Sequence, residues 1–185
     1  MELQITDRDK ELIGQCKQGE RNAQIKVYEM HAATVFNTCF RIVSNEADAE
    51  DIMQESFIEA FDKIHTFRGE GSFVAWLKRI AVNKSINLLR TKRKSISLED
   101  GAPEVTDNSH DEASISENIF CRLEEIRAAM DKLPENYRIV LSLQLLEGYD
   151  QEEISEILGT THGNVRTRYS RAKQKLLQII MKERN

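Results

Sequence analysis

Little in these 185 residues interrupts or crosslinks the chain: there are two prolines, three cysteines and one tryptophan. Cys16, Cys39 and Cys121 are odd in number and far apart, with no CxxC and no histidine at ligand spacing, which argues against a disulfide framework or a zinc site. Buried thiols are the expectation. No apolar run approaches the ~20 residues of a membrane span, and the opening MELQITDRDK lacks the basic and apolar blocks of a signal peptide. No membrane insertion and a cytoplasmic location are therefore expected. Sustained apolar/polar alternation is also missing, and most apolar residues fall at helical spacing, so the expected fold class is all-α. No metal cluster and no pairing of nucleophile with base is evident, so no cofactor and no enzymatic chemistry are expected. A chain of this length buries one modest core or two small ones of roughly 60 to 90 residues each.

What the chain does have is segregated charge. The formal net charge is -5, yet Gly71 to Lys94 carries Lys78, Arg79, Lys84, Arg90, Lys92, Arg93 and Lys94 without one acid. Directly after it, Ser95 to Asn118 holds seven acids, no Lys or Arg, the Gly101-Ala102-Pro103 break and little periodicity, which is the composition of a linker. Two small helical domains at 1–94 and 119–185, joined by an acidic flexible linker at 95–118, are expected. Each of them ends in a basic helix.

The stretch NEADAEDIMQESFIEAFDKI predicts a strongly amphipathic helix, with Ala49, Ile52, Met53, Phe57, Ala60, Phe61 and Ile64 on its apolar face. Opposite them, Asp51, Gln54, Glu55, Ile58 and Asp62 line up with an apolar residue amid acids. Both a docking surface and a solvated acidic face with one stray isoleucine fit this stripe.

In the next helix Ser72 is placed to cap the N-terminus, and Phe73, Trp76, Leu77, Ile80, Ala81 and Leu88 form the expected core stripe. Arg79, Asn83, Asn87 and Arg90 share the outward one. Cations for phosphates and amides for base edges, held on one face beside a two-glycine loop and an aromatic pair, read as a surface for single-stranded or opened DNA. Phe73 and Trp76 fit a plain core equally well.

The C-terminal part reads LPENYRIVLSLQLLEGYDQEEISEILGTTHGNVRTRYSRAKQKL. Pro134 opens a helix that closes at Gly148, and Asp150 with Glu153 makes a capping arrangement for a short helix ending at Gly159. A second helix is expected to begin past Thr160, Thr161 and His162, with Val165, Tyr169, Ala172 and Leu176 inward. This is the pattern of a helix-turn-helix. Arg166, Thr167, Ser170, Arg171 and Gln174 face outward, and no acid occurs between His162 and Leu177, as a basic recognition helix requires.

Together, DAEDIMQESFIEAFDKIHTFRGEGSFVAWLKRIAVNKSINLLR, the acidic segment and the helix-turn-helix block resemble the extracytoplasmic-function sigma factors of bacterial RNA polymerase, over nearly the whole chain. The resemblance implies that Asp51, Gln54, Glu55 and Ile58 dock on the clamp coiled coil of the core polymerase. It implies that Arg68, Ser72, Phe73, Trp76, Lys78, Arg79, Asn83, Asn87 and Arg90 melt the minus-ten promoter element and hold a flipped base of the non-template strand. It assigns Arg166, Thr167, Ser170, Arg171 and Lys175 to the minus-thirty-five element, in duplex DNA. Further partners it implies are the polymerase flap and a cognate anti-sigma factor, while the acidic linker resembles the segment threaded through the polymerase's nucleic-acid channels. The chain departs from the family pattern at Ser155, Thr160 and Asn164. A free-standing helix-turn-helix regulator or an adaptor that sequesters a partner are the alternatives: the first leaves the acidic stripe without a purpose, the second the recognition helix.

Overall fold

The computed structural model describes residues 7–69, 71–96 and 119–184, so all but the first two residues of the expected linker lie outside it. Every regular element among the described residues is helical. The chain divides into two compact units, Met1–Lys92 and Arg93–Asn185.

Unit 1 opens with α1 (Asp7–Lys17) and α2 (Arg21–Val43). A two-residue turn reverses the chain into α3 (Glu46–Asp62). Ser44 takes a left-handed conformation there, at φ 50°, and its N–H bonds to the Phe40 carbonyl, while the Asn45 side chain caps α3 by accepting from Asp48 N–H at 2.9 Å. The hairpin brings the Tyr28 ring within 4.8 Å of Phe57. A short 3-10 turn (Ile64–Thr66) and the glycine loop lead to α4 (Phe73–Ile96), which runs two residues into the stretch expected as linker.

The apolar face expected for α3 is buried, with Phe61 only partly covered and Ile64 contributed by the turn beyond the helix end. On α4 the stripe differs from expectation. Val82, Ser85 and Ile86 are buried beside Phe73, Leu77 and Ala81, whereas Ile80 and Leu88 stay partly open. Ser85 takes a buried position without loss because its hydroxyl donates to the Ala81 carbonyl at 2.8 Å. Ser56 does the same on α3, toward Ile52 at 2.6 Å. Pairs from Lys84 to Glu55 and Glu59, and from Lys92 to Asp48, show α4 running antiparallel to α3.

Unit 2 comprises α5 (Ile119–Asp131), α6 (Glu135–Leu141), α7 (Gln151–Leu158) and α8 (His162–Arg184), and α8 packs on the other three. Met130, Leu133, Leu141 and Ala172 form a buried cluster flanked by Tyr137, Tyr169, Leu176 and Ile179. Beyond Leu141 the helix widens into a π turn (Ser142–Leu146) and closes at Gly148, whose φ of 79° suits glycine.

Candidate nucleic-acid interface

On α3, Asp51, Gln54, Glu55, Ile58 and Asp62 are all exposed, and Ile58 keeps 63% of its surface open amid them. The stripe is not isolated from the rest of the unit. Lys84 of α4 holds Glu55 at 3.2 Å and Glu59 at 3.1 Å, and Glu59 also takes Lys63 at 2.7 Å. Hydrogen bonds from Lys63, then from Lys84, hold the Glu59 carboxyl below the usual glutamate range. Burial alone lowers the Lys84 ammonium, but its bonds to Glu59 and Glu55 outweigh this and raise it overall.

The outward stripe of α4 stands as expected: Arg79, Asn83, Asn87 and Arg90 are exposed, and Lys78 is half-buried. Ser72 occupies the N-cap position, its carbonyl accepting from Trp76 N–H at 3.2 Å. Arg68 is exposed, and after it Gly69 and Gly71, at φ 78° and 102°, take conformations that only glycine adopts without strain. Three aromatic rings close the base of this loop. Phe67, Phe73 and Trp76 lie 5.5, 5.6 and 5.7 Å apart, centroid to centroid.

Phe73 keeps 3% of its surface open and packs against Phe67, Trp76 and His31, so it supports the loop from the core. Trp76 is only half-buried. Two residues at this site were not singled out from the sequence as functional: Lys17, whose ammonium donates to the Phe67 carbonyl at 2.7 Å, and Lys84. Their partners lie 50 and 29 residues away in the chain, and no local period encodes such pairings.

In unit 2 the capping arrangement is a complete box. The Asp150 carboxylate accepts from Glu152 and Glu153 N–H at 2.8 Å each, and Glu153 accepts from Asp150 N–H at 3.0 Å. Gly159 ends α7 at φ 60°. Next, α8 begins at His162, earlier than expected, because Thr161 takes the cap position and accepts from Asn164 N–H at 3.3 Å and, by its carbonyl, from Val165 N–H at 3.1 Å. Two of the three departures from the family pattern are each other's partners: the Asn164 amide donates to the Thr160 hydroxyl at 2.9 Å across the turn.

Val165 and Ala172 anchor α8 in the core. That places Arg166, Thr167, Ser170, Arg171 and Lys175 on its exposed side, where Thr167, Arg171 and Lys175 follow at four-residue steps. Thr167 donates its hydroxyl to the Gly163 carbonyl at 2.9 Å and retains lone pairs as an acceptor. Lys173 lies 5.9 Å over the Tyr169 ring. Among the described residues no helix is long and apolar enough to cross a membrane.

Comparison with known proteins covers both units. The sigma-70 region 2 family matches residues 27–95, and the sigma-70 region 4 family matches residues 123–176. The chain is 33% identical to the ECF RNA polymerase sigma factor SigW of Bacillus subtilis, over 95% of this chain and 96% of that one. It is 34% identical to the ECF RNA polymerase sigma factor SigE of Mycolicibacterium smegmatis, over 85% of this chain and 61% of that relative. Among solved structures, the sigma factor RpoE of Bartonella quintana, crystallised with the anti-sigma factor NepR, shares the fold with a TM-score of 0.56 at 21% identity, over 84% of this chain and 95% of that one. Two basic helical faces on separate units, each within its own matched region and in the family's order, make one conclusion: the chain belongs to the extracytoplasmic-function sigma factors of RNA polymerase.

Proposed function

We propose that this sigma factor docks on the clamp coiled coil of core RNA polymerase through Asp51, Gln54, Glu55 and Ile58. Ile58 supplies apolar contact at the centre, and the acids around it select a basic counter-surface. Next to it, Arg68, Ser72, Trp76, Lys78, Arg79, Asn83, Asn87 and Arg90 engage the minus-ten element once opened. Flipping a base out of the stack costs a few kcal/mol, which a shaped pocket and cationic contacts to the flanking phosphates offset. Arg166, Thr167, Ser170 and Arg171 read the minus-thirty-five element in the major groove, with Lys175 on phosphate. The chain supplies promoter recognition and strand opening, and the polymerase supplies the nucleotidyl chemistry.

A single observation carries this reading: the two outward basic faces belong to separate units, and among the described residues the first lies on a helix paired with an acidic face that has an apolar centre. A net charge of -5 disfavours indiscriminate DNA binding, so the two faces act together only when the polymerase brings both promoter elements within reach. The acidic segment at 95–118 joins them within the polymerase, the second unit also meets the flap, and the chain works in the cytoplasm. A cognate anti-sigma factor is a further partner, supported by family membership and by the partner crystallised with the Bartonella relative. Footprinting with and without core polymerase tests the whole. Protection of both elements is expected only with core present, and a footprint of equal extent from the chain alone overturns the reading.

A further inference from the structure

The glycine loop before α4 is bounded by two buried aromatic residues, Phe67 on entry and Phe73 on exit, whose rings meet edge-on at 5.5 Å. One more group acts on the entry side. Lys17, in the last turn of α1, donates to the Phe67 carbonyl at 2.7 Å, and the same ammonium lies 5.9 Å from the centroid of the Phe67 ring. A single cation thus holds both backbone and ring of the last residue before the loop. Nothing local in α1 calls for a lysine to point this way. Helix α1 itself is set by Ile13 and Cys16, both buried, and it lies before the start of the region 2 match at residue 27.

We infer that Lys17 is a positioning residue for promoter recognition: it fixes the entry of the Gly69–Gly71 loop and thereby the base that this loop accepts. The inference rests on the proposed function, in which Arg68 and Ser72, at the two ends of this loop, belong to the surface that holds the flipped base. A charged donor on a carbonyl makes one of the stronger hydrogen bonds in a protein, and its loss leaves Phe67 held by ring packing and by its own N–H on the Ile64 carbonyl at 3.2 Å, with nothing fixing the carbonyl that leads into the loop from the α1 side. Small displacements at a pocket rim are enough to erase discrimination between bases of similar size.

The test uses holoenzyme reconstituted from the full chain and core polymerase, binding a fork-junction DNA library whose short non-template overhang is randomised. Bound and input pools are sequenced, and preference is read position by position. Wild type is expected to enrich a defined motif. Lys17→Met, which keeps the aliphatic stem and removes the donor, should lower the preference at one overhang position roughly fivefold to tenfold while binding core normally. Lys17→Arg, which keeps a charged donor, should restore most of it. A purely structural lysine gives a different result: a lower melting temperature with the same motif and the same preference at every position, which overturns the inference. Equal loss at all positions, or failure of Lys17→Arg to recover any preference, overturns it too. If wild type enriches no motif, the loop does not capture a base and the underlying reading fails first.

Discussion

Helix α7 has only eight residues and depends on its ends, so removing the Asp150 carboxylate is a sharp test of what holds the second unit together. Asp150→Ala deletes the two charge-assisted hydrogen bonds that the carboxylate accepts from Glu152 and Glu153 N–H, and leaves in place the reciprocal bond from the backbone N–H of residue 150 to the Glu153 carboxylate. The freed N–H groups sit at an exposed helix start and regain water, which keeps the cost to about 1 to 2 kcal/mol rather than the full desolvation penalty. For a domain below 100 residues each kcal/mol is worth ~4 to 8 °C, so the unit 2 transition should fall by roughly 5 to 15 °C. Circular dichroism follows both units, while fluorescence of Trp76, the only tryptophan, follows unit 1 alone. The Trp76 transition should not move. Asp150→Asn accepts the same N–H groups and loses only the favourable charge at the helix start, so it should recover more than half of the stability. Equal losses for the Asn and Ala variants, or no loss in either, would refute the claim that the cap secures α7.

Reversing charge at Asp51 and Glu55 together should weaken association with core polymerase by roughly a hundredfold without reducing helicity, and co-purification of the folded variant at normal yield would exclude this face as the docking site. Arg171→Ala should cost about 1 to 3 kcal/mol on the cognate upstream element and relax preference at one or two base pairs, whereas Lys175→Ala should weaken all sequences alike and lower the salt slope by about one counterion. Binding titrations of the holoenzyme across a salt series separate the two. Because Glu59 is held below the usual glutamate range, mainly by Lys63 and then Lys84, its contribution to stability is complete above that range and drains as pH falls through the folded value. Glu59→Gln should therefore melt ~0.2 to 1 kcal/mol below wild type at neutral pH and level with it in strong acid, in paired thermal scans.

Residues whose roles are local were the most legible in the sequence. The Asp150 and Glu153 box, the glycine after α7 and the apolar face of α3 each follow from spacing within one or two turns, and the structure holds all three. The outward stripe at Arg79, Asn83, Asn87 and Arg90 was also legible, although the core side of the same helix was not. Apolar side chains at Ile80 and Leu88 mimic a buried face, while Ser85 takes a core position because its hydroxyl finds a carbonyl in its own helix. Phe73 could not be divided between core and surface by periodicity, since both uses favour an aromatic residue at the first turn. The start of α8 was misjudged because Thr160, Thr161 and Asn164 are all cap-forming types, and only geometry tells which one caps. Lys17 and Lys84 were beyond reach for a different reason: a lysine's long stem lets it choose a partner from another helix, and the choice leaves no trace in its neighbours.

Helix α4 runs unbroken for 24 residues, about 36 Å of rise, from the aromatic base of the loop to the basic tail. Inserting or deleting one residue within it would turn everything downstream by about 100°. An insertion after Asn83 would swing Asn87 and Arg90 off the outward stripe while Arg79 stayed in place, and Ile86 would leave the core. Length can vary without this penalty only before Phe73 or past Arg90, where the helix approaches the acidic segment. Across its middle the helix cannot change its residue number without turning one face away from its partners, and that constraint comes from geometry alone, whichever promoter the chain serves.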